Sequence, residues 1–419
     1  MGAADFLEDR GMKRVVVTGM AGISPIGSDW DTVATNLKEM NSAVEYMEEW
    51  EKYEGLNTKL AAPVKDFSRP KHYSRKETRS MGRVALMATR ATELALEDAG
   101  LLEDESIKDG KMGVSYGSCG GTPDAMKDFG NMLLNNNLDG LNSTSYIKMM
   151  SHTAAVNIGV FFGLKGRIIP TASACTSGSQ GIGYAYEAIK FGRQKLMVAG
   201  GAEELCPSEA AVFDTLFATS IKNDAPKTTP RPYDADRDGL VIGEGAGTFI
   251  LEEYEHAKAR GAHIYAEVVG FACNSDGRHV TQPHKETMRI VMEMALEDAG
   301  LKPSDIGYVN AHGTSTEHGD IAESTATEEL FGNQILLSSL KSYTGHTLGA
   351  CGVLEAWMTI NMQRENWYAP TINLDNIDER CGNIDYIRGG IREGLDFSYV
   401  MSNNFAFGGI NTSLIFKKM

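Results

Sequence analysis

The residues of this chain best suited to chemistry are one cysteine and two histidines, each placed after a predicted strand. Cys175 stands in IIPTASACTSGSQG, where an apolar pattern typical of a buried strand gives way to a helical one. A thiol becomes nucleophilic when its pKa is lowered or a base lies near, and the unpaired N–H groups of a helix N-terminus supply part of that effect. The alternative is a small buried cysteine that only fills a tight corner. The position therefore allows nucleophilic catalysis without requiring it.

The two histidines occupy comparable positions. His312 lies in NAHGTST, directly after the strand GYVNA, and His346 lies in KSYTGH, directly after the strand ILLSSL. Ligands of α/β sheets collect outside the carboxyl ends of the strands, so we expect both imidazoles to meet Cys175 there. A lone histidine is more often a hydrogen-bonded structural residue. Two of them with a cysteine at a third strand end indicate a catalytic site.

These reactive groups are positioned by elements that the chain repeats. LALEDAGL at 94–101 and MALEDAGL at 294–301 each end a helical pattern, with Gly100 and Gly300 placed as C-caps. The early strand KRVVVTGM likewise has a counterpart in YAEVVGFA. A repeated order of elements indicates duplication. Alternating strands and helices predict an α/β fold with mostly parallel strands covered on both faces, and two packed halves would make five layers.

Composition limits the function classes open to this chain. A formal net charge of −16 over 419 residues argues against general nucleic-acid binding, which needs a basic face for the phosphates. Six cysteines stand singly with no CxxC pair, as expected for reduced thiols in the cytoplasm. No apolar run reaches the length of a membrane span, and MGAADFLEDRG lacks the apolar core of a secretory signal. We therefore expect a cytoplasmic protein with no membrane and no nucleic-acid partner.

The motifs ASACTSG, NAHGTST, KSYTGH and NNFAFGG, in this order, resemble those of the β-ketoacyl-acyl carrier protein synthase family, of the elongating type I/II kind. RPYDADRDGLVIGEGAG at 231–247 and PTINLDN at 370–376 extend the resemblance over nearly the whole chain. It implies the duplicated thiolase-like α/β fold, with five layers in the order α-β-α-β-α and mixed sheets. We expect residues 1–260 to form the half that carries the nucleophilic cysteine, with insertions. Residues 261–419 would form the half that carries both histidines.

The resemblance implies a 3-oxoacyl-[acyl-carrier-protein] synthase of fatty acid elongation. Cys175 would take the acyl chain from its carrier, and the backbone N–H groups of Cys175 and Phe407 would form the oxyanion hole. His312 and His346 would bind the malonyl thioester carbonyl and promote the loss of CO2. No redox cofactor is needed because decarboxylation drives the condensation. The other implied site residues are Lys341 paired with Glu355, Thr314 and Thr316 beside the pantetheine arm, and Phe405 on the loop that carries Phe407.

A local basic run stands out against the acidic chain. KDFSRPKHYSRKETRSMGR at 65–83 has seven Lys or Arg residues against two acidic ones. A solvated helix face is the simple interpretation. Acyl carrier proteins are acidic, however, and a cationic patch would steer their docking. Arg75, Lys76 and Arg79 match positions that contact the carrier protein in the family, and a homodimer is also expected by resemblance.

Two positions bear on the choice of substrate. By resemblance Cys119, in GSCGG, lines the far end of the acyl tunnel and helps to set chain length, with simple packing as the alternative. FAFGG departs from the family pattern, which has glycine in place of Ala406. The departure would stiffen the loop that carries Phe405 and Phe407, and it leaves the loop's gating and the substrate preference open.

Other functions and ligands were weighed against the same motifs. A dedicated ketosynthase of a type II polyketide or aryl-polyene-like pathway would carry them too. A non-catalytic chain-length partner subunit is disfavoured because Cys175, His312 and His346 are all present, and a thiolase because NNFAFGGIN has no second cysteine. DADRDG at 234–239 starts like a calcium loop but lacks its final bidentate glutamate, and His312 and His318 lack further zinc ligands. We predict no metal and no cofactor.

Overall fold

Strands and helices alternate along most of the chain, as the repeated pattern predicts. The computed structural model describes residues 11–419, so the first ten residues of the segment assessed for a secretory signal lie outside it. The strands are β1 (Val15–Ile23), β2 (Glu45–Tyr46), β3 (Leu60–Ala62), β4 (Met112–Gly117), β5 (Ile168–Thr171), β6 (Leu196–Glu203), β7 (Ile242–Gly243), β8 (Gly245–Glu253), β9 (Ala266–Ser275), β10 (Ile306–Asn310), β11 (Leu336–Ser338), β12 (Trp367–Tyr368), β13 (Asp385–Tyr386), β14 (Arg392–Glu393), β15 (Tyr399–Ala406) and β16 (Ile410–Lys418). The helices are α1 (Trp30–Lys38), α2 (Arg75–Thr78), α3 (Arg83–Asp98), α4 (Pro123–Asn135), α5 (Ser143–Met149), α6 (Thr153–Phe162), α7 (Ser177–Lys190), α8 (Pro207–Asp214), α9 (Tyr254–Ala259), α10 (Lys285–Ala299), α11 (Glu317–Phe331), α12 (Lys341–Thr344) and α13 (Cys351–Glu365). Across residues 11–419, no helix has both the length and the apolar character needed to cross a bilayer.

Eleven strands form one mixed sheet that repeats the same topology twice. Their order is β13-β11-β10-β15-β16-β9-β1-β8-β6-β4-β5. The first half therefore runs β5-β4-β6-β8-β1, and the second half runs β11-β10-β15-β16-β9. In each run the first two pairings are parallel and the last two are antiparallel. The duplication is confirmed, and β1 and β9 are the counterparts that their sequences indicate.

The expectation of mostly parallel strands is wrong for the inner strands of each half. β15 and β16 are joined by a turn at Gly408 and Gly409, whose φ angles of +92° and +70° suit glycine. Such a short connection reverses the chain, so the two strands pair antiparallel. β8 is also antiparallel to both of its neighbours, β6 and β1. The sheets are therefore mixed, as the resemblance implies.

The halves meet along β1 and β9, which pair antiparallel at Val15↔Val268 and the next two positions. β8 and α9 complete the first half, α9 ends at Ala259, and β9 begins at Ala266. We propose that the boundary between the halves lies in this connection, at residues 260 and 261. Since the sheet is continuous across it, the halves are structural repeats within one folded unit.

The middle layer consists of α7 and α13, which contact each other and strands of both halves. Both helices are buried along nearly their whole length. Small residues permit this close packing, because a Cβ added at Gly181 would lie 2.3 Å from the Gly200 carbonyl oxygen. α3 and α6 cover the outer face of the first half, and α10 and α11 cover that of the second. The predicted five layers are confirmed.

One expectation about the strand before Cys175 is wrong. β5 is the edge strand of the sheet rather than a buried strand, and Ile168 is 40% exposed in the single chain. Pro170 fits an edge because it has no N–H group to donate to a neighbouring strand. The apolar run misled the prediction because an edge strand and a central strand can share the same side-chain types.

Candidate active site

Cys175 lies on a tight elbow between β5 and α7. A short 3-10 turn covers Ala174–Thr176, and α7 begins at Ser177. Ala174 adopts a φ of +50°, in the left-handed region that residues with a side chain rarely occupy. The Ser177 hydroxyl holds the elbow, because it accepts the Ser173 N–H at 3.0 Å and donates to the Ala174 carbonyl at 2.8 Å. The thiol, in a residue only 4% exposed, therefore sits at the N-terminus of a buried helix.

The environment of the thiol contains opposing influences on its ionisation. Burial dominates and raises the pKa of Cys175 to about 11. The Lys341 charge and the backbone N–H groups of Phe407 and Cys175, which approach the sulfur, act in the opposite direction. The resting thiol is therefore protonated near neutral pH. The same two N–H groups are those that the resemblance assigns to the oxyanion hole.

His346 is oriented as a hydrogen-bond donor toward the sulfur. Its Nε2 lies 3.0 Å from Cys175 Sγ. Its Nδ1 accepts the backbone N–H of Leu348 at 3.2 Å, so in the neutral ring the proton belongs on Nε2. Burial, and then the Lys341 charge, lower the pKa of His346 well below its usual value. The ring is therefore neutral and presents an N–H group to the reaction centre.

His312 stands edge-to-face against His346, with ring centroids 5.1 Å apart. Its loop is tied down by Glu323, whose carboxylate accepts the backbone N–H groups of His312 and Gly313 at 2.6 and 2.7 Å. The Asn404 amide nitrogen lies 3.4 Å from Nδ1, which again leaves Nε2 as the donor. Burial, then Lys341 and His346, lower the pKa of His312 well below its usual value. The site thus holds two neutral imidazoles.

A buried ion pair supports the histidines from behind. Lys341 Nζ donates to the Glu355 carboxylate, and the Asn404 amide donates to the same carboxylate at 2.9 Å. Burial alone would lower the pKa of Lys341, but the Glu355 carboxylate outweighs burial and the pKa is raised. Lys341 is therefore positively charged, and this charge helps to keep the nearby imidazoles neutral. The predicted pairing of Lys341 with Glu355 is present.

A cavity of about 460 Å³ opens onto the three reactive groups. The Thr314 and Thr316 hydroxyls lie 2.9 Å apart on one wall, and the aromatic residues of the β15–β16 turn form another. The structure thus brings together seven of the predicted site residues on one lining: Cys175, His312, His346, Thr314, Thr316, Phe405 and Phe407.

The remaining predicted residues lie elsewhere. Lys341 and Glu355 are behind the histidines. Cys119 is not on the cavity lining; it packs on an apolar cluster with Phe213, and its N–H donates to Glu203 at 2.7 Å. Its place at the end of an acyl tunnel stays a prediction. The predicted docking residues, Arg75, Lys76 and Arg79, are exposed on and just after α2, whose N-terminus is closed by a capping box.

Several residues that shape the site escaped the sequence analysis. Glu323 binds the His312 loop, and burial raises its pKa to about 7. Cys351 donates to the Cys175 carbonyl at 3.1 Å, and Phe213 packs on Phe407 with ring centroids 5.1 Å apart. Glu323 stands in a helix of small and charged residues, and no local signal distinguishes it from Glu317 and Glu329, the exposed glutamates of the same helix. Asn404, by contrast, belongs to the NNFAFGG motif, so the sequence could have indicated it as a site residue.

The reactive triad also has the geometry of a metal site. The Cys175 sulfur and one ring nitrogen from each of His312 and His346 lie within 4.8 Å of one another. A thiolate and two imidazoles suit zinc with one position left open. DADRDG does not offer free carboxylates of this kind, because Asp234 accepts the backbone N–H groups of Asp236 and Asn376, both at 2.8 Å. The absence of a metal stays a prediction.

Known proteins are similar to this chain over nearly its whole length. The family model for the β-ketoacyl synthase N-terminal domain matches residues 12–257, and that for the C-terminal domain matches residues 265–375. The 3-oxoacyl-[acyl-carrier-protein] synthase 2 of Vibrio cholerae is 40% identical over 416 residues, which cover 97% of this chain and 99% of that protein.

Solved structures agree as well. A β-ketoacyl synthase from Burkholderia phymatum has a TM-score of 0.96 and 60% identity, covering 97% of this chain and 100% of that one. AntDE:AntF, a type II polyketide synthase acyl-carrier protein in complex with its ketosynthase bound to the hexaketide, has a TM-score of 0.85 and 30% identity, with 97% and 100% covered. The chain therefore belongs to the β-ketoacyl synthase family.

Proposed function

We propose that this chain is a 3-oxoacyl-[acyl-carrier-protein] synthase, an acyltransferase that lengthens acyl chains on acyl carrier protein during fatty acid elongation. The observation that carries the proposal is the convergence of Cys175, His312 and His346 on one cavity, with two backbone N–H groups beside the sulfur. The similarity to the Vibrio cholerae 3-oxoacyl-[acyl-carrier-protein] synthase 2 and to the Burkholderia phymatum β-ketoacyl synthase supports it.

In the first half-reaction the Cys175 sulfur attacks the carbonyl carbon of the acyl thioester. The N–H groups of Cys175 and Phe407 stabilise the oxyanion of the tetrahedral intermediate, each such donor contributing roughly 3 kcal/mol. The bond from the carbonyl carbon to the pantetheine sulfur then breaks. The thiol proton of Cys175 goes to that leaving sulfur, so the products are acyl-Cys175 and the free carrier thiol.

In the second half-reaction the malonyl thioester oxygen accepts hydrogen bonds from Nε2–H of His312 and His346. The bond to the malonyl carboxylate breaks, CO2 leaves, and its electron pair becomes an enolate whose oxygen the two donors stabilise. The enolate carbon attacks the acyl-Cys175 carbonyl, forming a carbon–carbon bond as the bond to the Cys175 sulfur breaks. The sulfur regains a proton from solvent, and 3-oxoacyl-acyl carrier protein is released.

Other residues position these groups without reacting. Burial, and then the positive charge of Lys341 that Glu355 holds in place, keep both imidazoles uncharged so that each retains one directed N–H. Thr314 and Thr316 line the approach to the reactive groups, where the pantetheine arm of the carrier would lie. Phe405, 6.2 Å from His312 between ring centroids, shields the enolate from water.

The carrier protein would dock at the basic surface of Arg75, Lys76 and Arg79. All three side chains are exposed on a chain of net charge −16, so this surface is a local cationic feature. Such a surface attracts an acidic carrier protein. The attraction mainly raises the rate at which the two proteins associate. The AntDE:AntF complex, in which an acyl-carrier protein is bound to its ketosynthase, supports a carrier as the partner.

We also propose a homodimer in the cytoplasm. β5 is an open sheet edge, and Val160 and Ile168 on neighbouring α6 and β5 are 82% and 40% exposed. An unpaired edge strand can continue the sheet with its copy across a two-fold axis and bury these side chains. The six single cysteines, with no CxxC pair, are consistent with a reducing compartment.

The second candidate is the same chemistry in a polyketide or polyene pathway. The similarity to the hexaketide-bound ketosynthase, with 30% identity over 97% of this chain, supports this second candidate. The motifs are common to both pathways, so the acyl chain accepted by Cys175 must decide between them.

The deciding experiment is intact-protein mass after mixing with acyl-acyl carrier proteins of graded length. We expect an adduct of the acyl mass on the wild type and none on Cys175→Ala, with Cys206→Ala as a matched cysteine control that still loads. An adduct that survives in Cys175→Ala would refute the assigned nucleophile. Folded wild type that takes no acyl chain from any carrier would refute the proposed function.

A further inference from the structure

An apolar region adjoins the reaction centre beside the Phe213–Phe407 pair. Both rings line the cavity with Cys175. Phe213 belongs at the same time to a buried cluster beside the cavity, against which Phe407 and Cys119 pack. We call this the distal cluster; its buried members are Met47, Trp50, Ala61, Ala210, Phe213, Leu240, Ile242 and Leu348. An acyl chain on the Cys175 sulfur that passes the two rings meets apolar side chains there.

One polar group in this region has no partner. Glu209 stands one helical turn before Phe213 on α8, and side chains four residues apart share a helix face. Its Oε2 atom is fully buried and forms no hydrogen bond with any described residue. The next residue, Ala210, is a member of the distal cluster. A carboxyl oxygen therefore remains unpaired beside an apolar region.

The neighbouring carboxyls differ from Glu209. Glu203 accepts the N–H groups of Cys119 and Gly349 at 2.7 and 3.1 Å, and Glu204 accepts the Val84 N–H at 2.8 Å. Hydrogen bonds to the backbone therefore account for the burial of Glu203 and Glu204. Buried polar atoms are nearly always paired in native proteins, so an orphan one helical turn from Phe213, which lines the cavity, is a candidate contact for a ligand group.

The electrostatics agree with this arrangement. Burial, then Glu203, raise the pKa of Glu209 well above its usual value, and a backbone hydrogen bond at Cys206 offsets this only in part. The Cys119 thiol is influenced by the Cys175 thiol and by the Glu209 carboxyl, so it lies near both. Cys119 also packs against the cluster that contains Phe213, which lies one helical turn after Glu209.

We propose that the acyl chain held by Cys175 ends in a hydroxyl group, which donates a hydrogen bond to the free carboxyl oxygen of Glu209. The inference rests on the proposed function, since it needs the acyl-Cys175 intermediate. The distal cluster accommodates the apolar part of the chain, and Glu209 distinguishes its far end. An alkyl alcohol and a phenol offer the same donor.

The test is competitive loading of the wild type with paired acyl carriers. Hexanoyl, octanoyl and decanoyl chains compete with their ω-hydroxy counterparts, and phenyl-terminated chains compete with hydroxyphenyl-terminated ones. Intact mass reports which member of each pair acylates Cys175. We expect the hydroxyl form to load about threefold to tenfold faster in at least one pair, the range given by one net hydrogen bond. The pair that responds distinguishes alkyl from aromatic termini.

Variants separate recognition from folding. Glu209→Met removes the acceptor and should abolish the preference, Glu209→Gln keeps an acceptor oxygen and should retain it, and Glu97→Met is a matched change at an exposed helical glutamate. Equal loading of both members of every pair by the wild type overturns the inference while leaving the proposed function intact. A preference that persists in Glu209→Met also overturns it. Absence of any adduct overturns both.

Discussion

Replacing His346 by alanine should slow decarboxylation far more than it slows acyl loading. The backbone N–H of Leu348 occupies Nδ1, so Nε2 carries the proton and cannot also accept one from the Cys175 thiol 3.0 Å away. His346 therefore acts as a donor in the second half-reaction and not as the base of the first. This assignment makes the two half-reactions separable by mutation.

The magnitude follows from the number of donors. The enolate oxygen has two imidazole donors, and the loss of one costs roughly 3 kcal/mol, or about a hundredfold in rate. The oxyanion of acyl transfer is stabilised by backbone N–H groups that the substitution leaves in place. Acyl transfer to Cys175 should therefore slow by less than about tenfold, a difference of about 1.4 kcal/mol.

The assay measures both steps on the same protein. Rapid-quench intact mass follows acyl-Cys175 formation, and release of labelled CO2 from malonyl-acyl carrier protein follows decarboxylation. His263→Ala is the matched control, because that imidazole is exposed and lies off the cavity lining. Equal losses in both steps for His346→Ala would show that the ring is the base for the thiol, and the argument from its tautomer would be wrong.

Three further predictions concern charge. Lys341→Met should lower the free energy of unfolding by about 3–5 kcal/mol, since the buried Glu355 carboxyl is left without its ion-pair partner, and Lys341→Met with Glu355→Gln should recover part of that loss in urea titrations. A silent single variant would contradict this. Because burial lowers the pKa of His312 and His346 well below 6.5, the decarboxylation rate should show no inflection near pH 6.5. Stability should nevertheless decline as pH falls below 6.5, because those histidines take up protons only when unfolded; an inflection of the rate at 6.5 would refute the neutral pair. Arg75→Glu with Lys76→Glu should raise KM for acyl carrier protein about tenfold at low salt with kcat unchanged, and high salt should remove the difference. Lys258→Glu is the control, and an unchanged KM would locate docking elsewhere.

Much of the fold was predictable because the two halves of the chain contain segments of similar sequence. The octamers ending at Leu101 and Leu301 and the paired strands β1 and β9 are similar in sequence, and they occupy equivalent places in the two halves. The pairing directions were not predictable, since they depend on connections such as the turn at Gly408. The edge position of β5 was not predictable either, because it depends on what lies beside the strand rather than on its own residues.

The candidate site also has residues that the sequence could predict and residues that it could not. Cys175, His312 and His346 could be identified because each follows a strand at the carboxyl edge, where α/β folds collect ligands. Glu323 could not, because its hydrogen bonds to the His312 loop depend on its burial, and a glutamate on a helix looks the same in sequence whether it is exposed or enclosed. The position of Cys119 beside the cavity, rather than on its lining, likewise depends on side-chain packing from several distant segments.

The packing of α7 against α13 has a consequence for synthesis on the ribosome. α7 is complete at Lys190, whereas α13 begins at Cys351. At typical bacterial and eukaryotic elongation rates the intervening chain takes roughly 10 to 30 s to emerge. During that interval one face of α7 lacks its partner, so the nascent first half exposes the side chains that later pack against α13. The proposed oxyanion hole is completed later still, when the turn bearing Phe407 emerges, so we expect the nascent chain to stay inactive until that turn is translated.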